Sequence, residues 1–297
     1  MITYSRLGKK GNIGNQLFQI ASTIGLAKKY HHNYIFPIWE YEDYFDYNFL
    51  HGKIESFERI TEKYYHYYNW NLEEGNYDLF GYLQSEKYFD IVFTKKIFTF
   101  KEQFLTSLKE KNSLIKNAQN IMISVRRGDF VHHPWFYQLS YKYYLGAIIE
   151  NFPDWKERNL VFSSDDISYC KYHFSFLPNS VFLTNLTPIE QLAFATQCND
   201  FIISNSTFSW WMAWLGEKKE SKIIRPSKNF RGKHGLCTNE NDYFPERWNI
   251  FDHHKFSLPL KYYKLILKGE YFNFFNLFKY YFSKVKEKIK IFLLAFL

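Results

Sequence analysis

The stretch NIMISVRRGDF, residues 120–130, decides how this chain folds. Residues 120–125 are a mostly apolar run of strand length, and two arginines, a glycine and an aspartate follow without a break. A short apolar run that ends in charged and turn-forming residues is typical of a buried strand. We therefore predict a strand over 120–125, with polar residues that could meet a ligand at its carboxyl end.

Strand-like and helix-like segments alternate after this strand. Pro188 suits the first position of a helix, and Glu190 can complete a capping box with Thr187. The alternation predicts a parallel, doubly wound α/β sheet. The predicted strands are 159–162, 181–183, 201–203 and, as the last one, 222–224; the predicted helices are 141–150, one from about 166, 187–198 and 207–216.

The first 118 residues are less regular. They open as a strand over 2–7, a glycine turn, and a helix from residue 15 whose apolar positions recur on one face. Residues 33–80 are rich in aromatic side chains and lack a clear period, so we expect loops and short elements there. Residues 88–118 carry helical patterns. With 46% hydrophobic and 23% charged residues, the 297-residue chain has the composition of a folded protein of one or two domains.

Three cysteines lie far apart, at positions 170, 198 and 237, without the spacing of zinc ligands. This pattern argues against a zinc site or a disulfide framework and favours a reducing compartment. Residues 1–6 lack the basic start and apolar run of a signal peptide, so we expect the protein in the cytoplasm.

Six of the eight net positive charges lie in residues 256–297, which hold eight Lys and two Glu together with 13 Phe and Tyr. We predict that this segment is a basic amphipathic tail that binds an anionic membrane surface, with Phe272, Phe275, Phe278 and Phe282 on one helical face. No apolar run is long enough to span a bilayer. The alternative is a helical cap packed on the domain. A nucleic-acid binder would spread its lysines over a groove, so we expect no nucleic-acid partner.

Arg126 and Arg127 follow the strand at 120–125 and should leave it on opposite sides. A guanidinium suits a diphosphate because its planar fork forms two parallel, charged hydrogen bonds. We expect one arginine to face a ligand and the other to brace the loop, for example against Asp129. The alternative is a solvated run of charges.

Three other segments place polar residues between a strand and a helix. Residues 11–16, GNIGNQ, can bring backbone N–H groups and a helix N-terminus to an anion, or form only a tight turn. Asp165 and Asp166 can bind sugar hydroxyls, whereas the alternative is that Asp165 or Ser164 only caps the next helix, and the adjacency of the two acids argues against a metal site. Residues 204–209, SNSTFS, offer hydroxyl and N–H groups to phosphate oxygens, and we expect the tryptophans that follow to lie in the core.

Five segments taken together resemble glycosyltransferase family 11, the bacterial and animal α-1,2-fucosyltransferases: GNIGNQLFQ (11–19), GYLQSEKYF (81–89), RRGDF (126–130), FSSDD (162–166) and FIISNSTFSWWMAWL (201–215). The resemblance implies a GT-B-like α/β fold of two Rossmann-like halves, which we place at 1–118 and 119–255, before the tail at 256–297. It also implies an inverting transfer of fucose from GDP-fucose to a hydroxyl of a glycan acceptor, of the galactoside α-1,2 type, in lipopolysaccharide or capsule synthesis. No cofactor or metal is implied.

The same resemblance assigns roles to individual residues. Arg126 matches the family arginine that lies against the donor diphosphate, and it is the catalytic candidate. Gly14 and Asn15 match glycine-loop positions near the phosphates. The donor-binding turn corresponds to Asn205, Ser206, Thr207, Phe208 and Ser209. The remaining expected substrate-binding residues are Gln16, Arg127, Asp129, Asp165 and Asp166.

Two positions depart from the family pattern. Ser124 stands where the family usually has His, and Gln191 stands where it usually has Asp. In the wider superfamily these positions lie on the nucleotide-base side of the pocket. A carboxylate accepts two N–H bonds from guanine, whereas Gln offers one acceptor and one donor. Two alternatives therefore stay open: a related transferase that uses another nucleotide sugar, and an inactive glycan-binding homologue.

Overall fold

Two parallel β-sheets form the framework of the protein, whose computed structural model describes residues 1–54, 56–111 and 119–294. The first sheet contains β1 (Ile2–Thr3), β2 (Tyr34–Ile35), β3 (Glu58–Thr61) and β4 (Tyr77–Phe80), in the order β2-β1-β4-β3. The second contains β5 (Asn120–Val125), β6 (Asn159–Ser164), β7 (Ser180–Phe182), β8 (Asp200–Ile202), β9 (Ile223–Pro226) and β10 (Asn249–Phe251), in the order β10-β9-β8-β5-β6-β7. The strands pair in parallel in both sheets, which confirms the expected α/β class with parallel sheets.

Helices cover the sheets and extend the chain beyond them. They are α1 (Ile13–Lys29), α2 (Ile91–Ile97), α3 (Glu102–Lys111), α4 (Tyr141–Asn151), α5 (Ile167–Phe174), α6 (Pro188–Ala195), α7 (Thr207–Gly216), α8 (Gly232–Cys237) and α9 (Tyr263–Leu294). Residues 112–118 and 295–297 were included in the predicted helical region and the predicted tail, and they lie outside the described residues.

The predicted alternation of strands and helices in the second half is confirmed. α7 begins and ends at the predicted residues, and the capping box between Thr187 and Glu190 is present at the start of α6. One prediction is wrong, because the strand at 222–224 is not the last. β10 follows it at the edge of the sheet, and the first two of its three residues are exposed, so it shows no buried apolar run in the sequence.

The first half has the short elements expected from its aromatic, irregular sequence. β1 is shorter than the predicted strand over 2–7, because the chain turns away at Ser5. The Ser5 backbone N–H donates to Asp78 Oδ1 at 2.9 Å, and the Ser5 hydroxyl donates to Asp78 Oδ2 at 2.8 Å. Asp78 lies in β4, so these two hydrogen bonds join the chain just after β1 to the neighbouring strand.

Side-chain alternation along the second sheet separates two hydrophobic cores. Met122, Val161 and Phe201 point to one face, into a core that also contains α1, α6, α7 and the first sheet. Ile123 and Phe162 point to the other face, which α4 and α5 cover. The two halves therefore share one core, and this core holds α1 of the first half against α7 of the second.

Aromatic packing fills the contact between α1 and α7. Trp210, Trp211 and Trp214 are fully buried, as predicted from the sequence. The Phe18 ring of α1 lies 4.5 Å from the Trp210 ring and 5.2 Å from the Trp211 ring, measured between centroids. This packing fixes the N-termini of both helices beside each other at the carboxyl ends of the strands.

The C-terminal helix α9 is partly packed and partly exposed. Leu265 is buried in the second core, and the Phe272 ring lies 5.4 Å from the Tyr169 ring of α5. The prediction that Phe272 shares a face with Phe275, Phe278 and Phe282 is wrong, since those three side chains are exposed. Phe272 turns to the domain because α5 offers it a pocket of aromatic rings. Within the described residues, no helix has the length and apolar character needed to cross a membrane.

Candidate active site

Two arginines leave the carboxyl end of β5 in different environments. The Arg127 guanidinium carbon lies 3.8 Å from the centre of the Tyr169 ring, and Arg127 Nε lies 3.4 Å from Asp166 Oδ2. Its side chain is only 12% exposed. Arg127 is therefore the arginine that braces the loop, against the face of the sheet that carries α5 and α9.

Arg126 lies on the other side of the loop and pairs with two carboxylates. Its Nη2 donates to Asp129 Oδ1 at 2.9 Å, and its Nε lies 3.0 Å from Asp165 Oδ2. Its side chain is 25% exposed. Asp129 was expected to hold the bracing arginine, but it pairs with the arginine that is free to face a ligand. These two ion pairs orient the guanidinium and leave part of it open to solvent.

Both aspartates after β6 take part in the same loop structure. Asp165 Oδ1 accepts the backbone N–H of Arg127 at 2.9 Å, and a Cβ on Gly128 would lie only 2.4 Å from Asp165 Oδ2. Asp166 caps α5, since its Oδ1 accepts the Tyr169 backbone N–H at 3.0 Å. The prediction that Asp165 or Ser164 caps this helix is therefore wrong, because Asp165 is used to hold the arginine loop from the neighbouring strand.

The polar turn after β8 is largely buried. Asn205 Nδ2 donates to the backbone oxygens of Asn229 at 2.7 Å and Tyr137 at 3.2 Å. The Ser206 hydroxyl caps α7 by accepting the Phe208 N–H at 3.2 Å. The Ser209 hydroxyl lies 2.7 Å from the hydroxyl of Ser204. These side chains stabilise the turn, whereas the side chains of Thr207 and Phe208, the first two residues of α7, are partly exposed.

The glycine segment packs tightly against this turn. A Cβ on Gly14 would lie 2.6 Å from the Phe208 backbone nitrogen, so only glycine fits between the first turns of α1 and α7. Asn15 Oδ1 accepts from Gln84 Nε2 at 2.8 Å. Gln16 is buried, accepts from Trp39 Nε1 at 2.8 Å and donates to the Gly11 carbonyl at 3.0 Å. Two positively polarised helix N-termini therefore converge here, while the side chains of Asn15 and Gln16 bond to the protein.

Ser124 and Gln191, the two departures from the family pattern, are satisfied within the second half. The Ser124 hydroxyl lies 2.7 Å from that of Ser209. Gln191 Oε1 accepts the Ser163 hydroxyl at 2.6 Å, and its Nε2 donates to the Leu186 carbonyl at 2.9 Å. Both ends of the Gln191 amide are used in this way, so it offers no free carboxylate-like edge to a nucleotide base.

Sequence reasoning did not single out Glu62, at the end of β3. Its carboxylate accepts the backbone N–H groups of Tyr82 at 2.7 Å and Leu83 at 3.1 Å. Burial raises the pKa of Glu62, and these two hydrogen bonds oppose the shift. The signal in the sequence was weak, because an isolated Glu in an aromatic segment has no motif around it.

The loop after the arginines was also overlooked. Residues 132–137, HHPWFY, follow RRGDF after a single valine and place six bulky or ring-bearing residues in the loop beyond β5. Burial, followed by the charges of Arg127 and Arg231, lowers the pKa of His132. Nearby, His254 Nε2 lies 2.6 Å from the Tyr137 hydroxyl, and the potential ligand atoms of Asp252, His253 and His254 lie within 4.8 Å of one another.

Comparison with known proteins relates most of this chain to one family. The family model described as glycosyl transferase family 11 matches residues 16–252. The O-antigen biosynthesis glycosyltransferase WbnK of Escherichia coli is 29% identical, over 54% of this chain and 57% of its own length. The alpha-1,2-colitosyltransferase of Escherichia coli is 28% identical, over 59% of this chain and 62% of its own length. The match thus spans about six tenths of each of these two relatives.

A third relative matches more of the chain. The Caenorhabditis elegans protein svh-11, whose name describes a galactoside 2-alpha-L-fucosyltransferase, is 26% identical over 82% of this chain and 77% of its own length. Among solved structures, the fucosyltransferase NodZ from Bradyrhizobium overlaps 71% of this chain and 91% of its own, at 10% identity and a TM-score of 0.49. An overlap this distant says nothing about the roles of individual residues.

Proposed function

Since this chain belongs to glycosyl transferase family 11, we propose that it is a glycosyltransferase that transfers fucose from GDP-fucose to a hydroxyl of a galactoside-type glycan, with inversion at the sugar carbon. The observation that carries this proposal is Arg126. Its guanidinium is partly exposed at the carboxyl end of the central strand β5, where ligands of parallel α/β sheets bind. The neighbouring carboxylates orient it for a diphosphate.

In the proposed reaction, the acceptor oxygen forms a bond to the fucose anomeric carbon as the bond from that carbon to the diphosphate oxygen breaks. GDP leaves with the electron pair, and the proton of the acceptor hydroxyl passes to a base or to water. Negative charge grows on the diphosphate during this step. Arg126 and the N-termini of α1 and α7 stabilise that charge, and aimed donors of this type contribute about 3 to 4 kcal/mol each.

The proposed mechanism does not depend on a metal ion. Arginine and helix N-termini supply the positive charge that a metal would otherwise provide. Asp165 and Asp166 each pair with an arginine of the loop, so these carboxylates already have cationic partners. Addition of a chelator tests this part of the proposal.

A different nucleotide sugar is the second candidate. The internal hydrogen bonds of Ser124 and Gln191 leave the guanine-binding side without the usual acidic acceptor, and one relative is named a colitosyltransferase. Calorimetric titration of GDP, UDP and their sugar conjugates into the purified protein separates the candidates. We expect GDP to bind at least about tenfold more tightly than UDP. Preference for UDP would contradict the GDP-fucose proposal, and binding without any transfer or hydrolysis would favour an inactive glycan-binding homologue.

We further propose that α9 holds the enzyme on the anionic inner face of a bacterial plasma membrane, where it acts in surface polysaccharide synthesis. Large apolar residues recur every three or four positions on the side of α9 that faces away from Leu265 and Phe272. They are Leu267, Tyr271, Phe274, Phe278, Tyr281, Val285, Ile289 and Phe292, and all are exposed. Lysines flank this stripe, and each basic side chain near anionic lipid contributes about 1 kcal/mol.

The helix also contacts the loop that carries the arginines. The Tyr280 ring stacks 4.3 Å from the His132 ring, and Phe272 lies within 5.8 Å of the Arg127 guanidinium. A bilayer bound along the exposed stripe would therefore lie close to the candidate active site. Such a position suits a glycan acceptor carried by a membrane lipid.

Vesicle sedimentation tests the membrane proposal. Removal of the whole tail would also remove the buried Leu265, so the better variant is Phe274→Ser combined with Phe278→Ser in the full chain. We expect this variant to lose binding to vesicles with anionic lipid while its activity on a soluble acceptor stays unchanged. A change of the exposed Ile38 to Ser serves as the matched control. Equal lipid binding by wild type and variant would reject α9 as the anchor.

A further inference from the structure

Two loops at the carboxyl edge of the second sheet are joined by backbone hydrogen bonds. Phe136 and Phe230 form an antiparallel bridge. The Arg231 N–H donates to the Trp135 carbonyl at 2.7 Å, and the Tyr137 N–H donates to the Asn229 carbonyl at 2.9 Å. One loop follows Arg126 and the other follows β9, so the pair lies beside the candidate active site.

The two loops are also held in place by a buried side chain of the turn after β8 and by a tyrosine of the first half. The buried Asn205 donates to the carbonyls of Tyr137 and Asn229, one in each loop. Tyr65 of the first half accepts a hydrogen bond at its hydroxyl from Asn229 Nδ2 at 2.6 Å, and its ring lies 5.1 Å from Phe230. The two loops therefore form a rigid structure at the boundary of the two halves.

This rigid structure exposes one large aromatic side chain. Trp135 is 54% exposed, although its backbone is hydrogen-bonded on both sides. One face of its indole stacks on the His234 ring, with centroids 4.9 Å apart and planes at 21°. The His133 ring makes a second, T-shaped contact at 5.7 Å between centroids, so the orientation of the indole is fixed while about half of the residue stays exposed to solvent. Exposed tryptophans that are held in place are a common feature of recognition surfaces.

We propose that the exposed part of Trp135 binds a hexopyranoside ring of the acceptor glycan; this inference rests on the proposed transferase function. One face of a β-galactoside presents the C–H groups of C3, C4 and C5, which form an apolar patch the size of an indole. Stacking buries that patch, and the hydroxyls around the ring rim stay available for hydrogen bonds and for transfer. A rigid indole loses little conformational entropy on binding.

The experiment compares Trp135→Ala with Trp135→Phe, using lactose as the acceptor and GDP-fucose as the donor. The matched control is Phe176→Ala, which removes an equally exposed aromatic ring at the far end of α5. For Trp135→Ala we expect the acceptor KM to rise by about tenfold. The donor KM and the slow hydrolysis of GDP-fucose without acceptor should stay unchanged. The acceptor KM of Trp135→Phe should lie between the values of wild type and Trp135→Ala, and the acceptor KM of Phe176→Ala should match wild type.

Other outcomes decide between the ideas. An unchanged acceptor KM in a folded Trp135→Ala variant would overturn only the proposal that Trp135 is a stacking platform for the acceptor sugar. A wild-type protein that binds lactose by saturation-transfer NMR through Trp135 but transfers no sugar would overturn the transferase proposal and support the platform. A wild-type protein that neither binds nor modifies lactose would contradict both. Loss of vesicle binding in Trp135→Ala, with an unchanged acceptor KM, would assign the indole to the membrane and would also overturn the platform.

Discussion

The glycine segment at the start of α1 and the arginine loop after β5 were both expected to meet the donor phosphates, yet the structure uses them differently. In the glycine segment, Gly14 fills a helix contact and the Gln16 side chain is bonded inside the protein. In the arginine loop, Arg126 keeps part of its charged group exposed. The side chains of a glycine-rich motif can thus serve packing, so that only its helix N-terminus is left for the phosphates, whereas a partly exposed charge that is oriented by partners can itself meet the ligand.

The largest effect on activity should come from Arg126→Ala. Loss of the guanidinium removes an aimed positive charge, so we expect kcat to fall by about a hundredfold or more. Stability should change little, because the ion pairs of Arg126 are partly exposed to solvent. Steady-state kinetics and thermal unfolding measure the two quantities. Arg126→Lys, which keeps the charge but loses the fork, should recover only part of the rate; full activity in the alanine variant would remove Arg126 from the mechanism.

Gly14→Ala should show the opposite pattern, with stability as the first loss. The added Cβ would overlap the backbone of Thr207 and Phe208, at 2.7 and 2.6 Å. Overpacking of this kind costs about 1 to 3 kcal/mol in the free energy of unfolding, which chemical denaturation can measure. Lys9→Ala, an exposed change two residues before this segment, is the control. If Gly14→Ala kept its stability and lost GDP affinity, the glycine would belong to the ligand site after all.

Asp129→Asn separates an orienting role from a catalytic one. Asp129 pairs with Arg126, so its neutral amide should loosen the guanidinium and lower kcat by less than about tenfold. If Asp129 were the general base, its replacement would lower kcat by about a hundredfold to ten-thousandfold. The pH dependence of kcat adds a second readout, since an orienting residue leaves its shape unchanged. A large loss of kcat together with a lost acidic limb would make Asp129 the base.

The smallest effect is expected from metal removal. Because arginine and helix N-termini neutralise the leaving group in our proposal, EDTA should leave turnover unchanged within the error of a rate assay. This test is necessary because the potential metal-ligand atoms of Asp252, His253 and His254 lie close together. Activity that vanishes with EDTA and returns with manganese would contradict the metal-free scheme.

The sequence predicted most of what depends on local patterns. The ends of α7, the capping box at Thr187 and the opposite directions of the two arginines all follow from neighbouring residues. Contacts between distant segments could not be predicted in this way. The pairing of Arg126 with Asp165 after β6, the aromatic pocket that turns Phe272 inward, and the bridge between Phe136 and Phe230 depend on the tertiary structure. β10 was missed because an exposed edge strand of three residues carries no hydrophobic period.

The most direct test of the central claim is to compare the binding of GDP and guanosine to wild type and to Arg126→Ala by titration calorimetry. If the guanidinium faces the diphosphate, the variant should lose about tenfold to a hundredfold in GDP affinity and keep its affinity for guanosine. Equal GDP affinity in the two proteins, or an equal loss for both ligands, would contradict the assignment of Arg126 to the diphosphate.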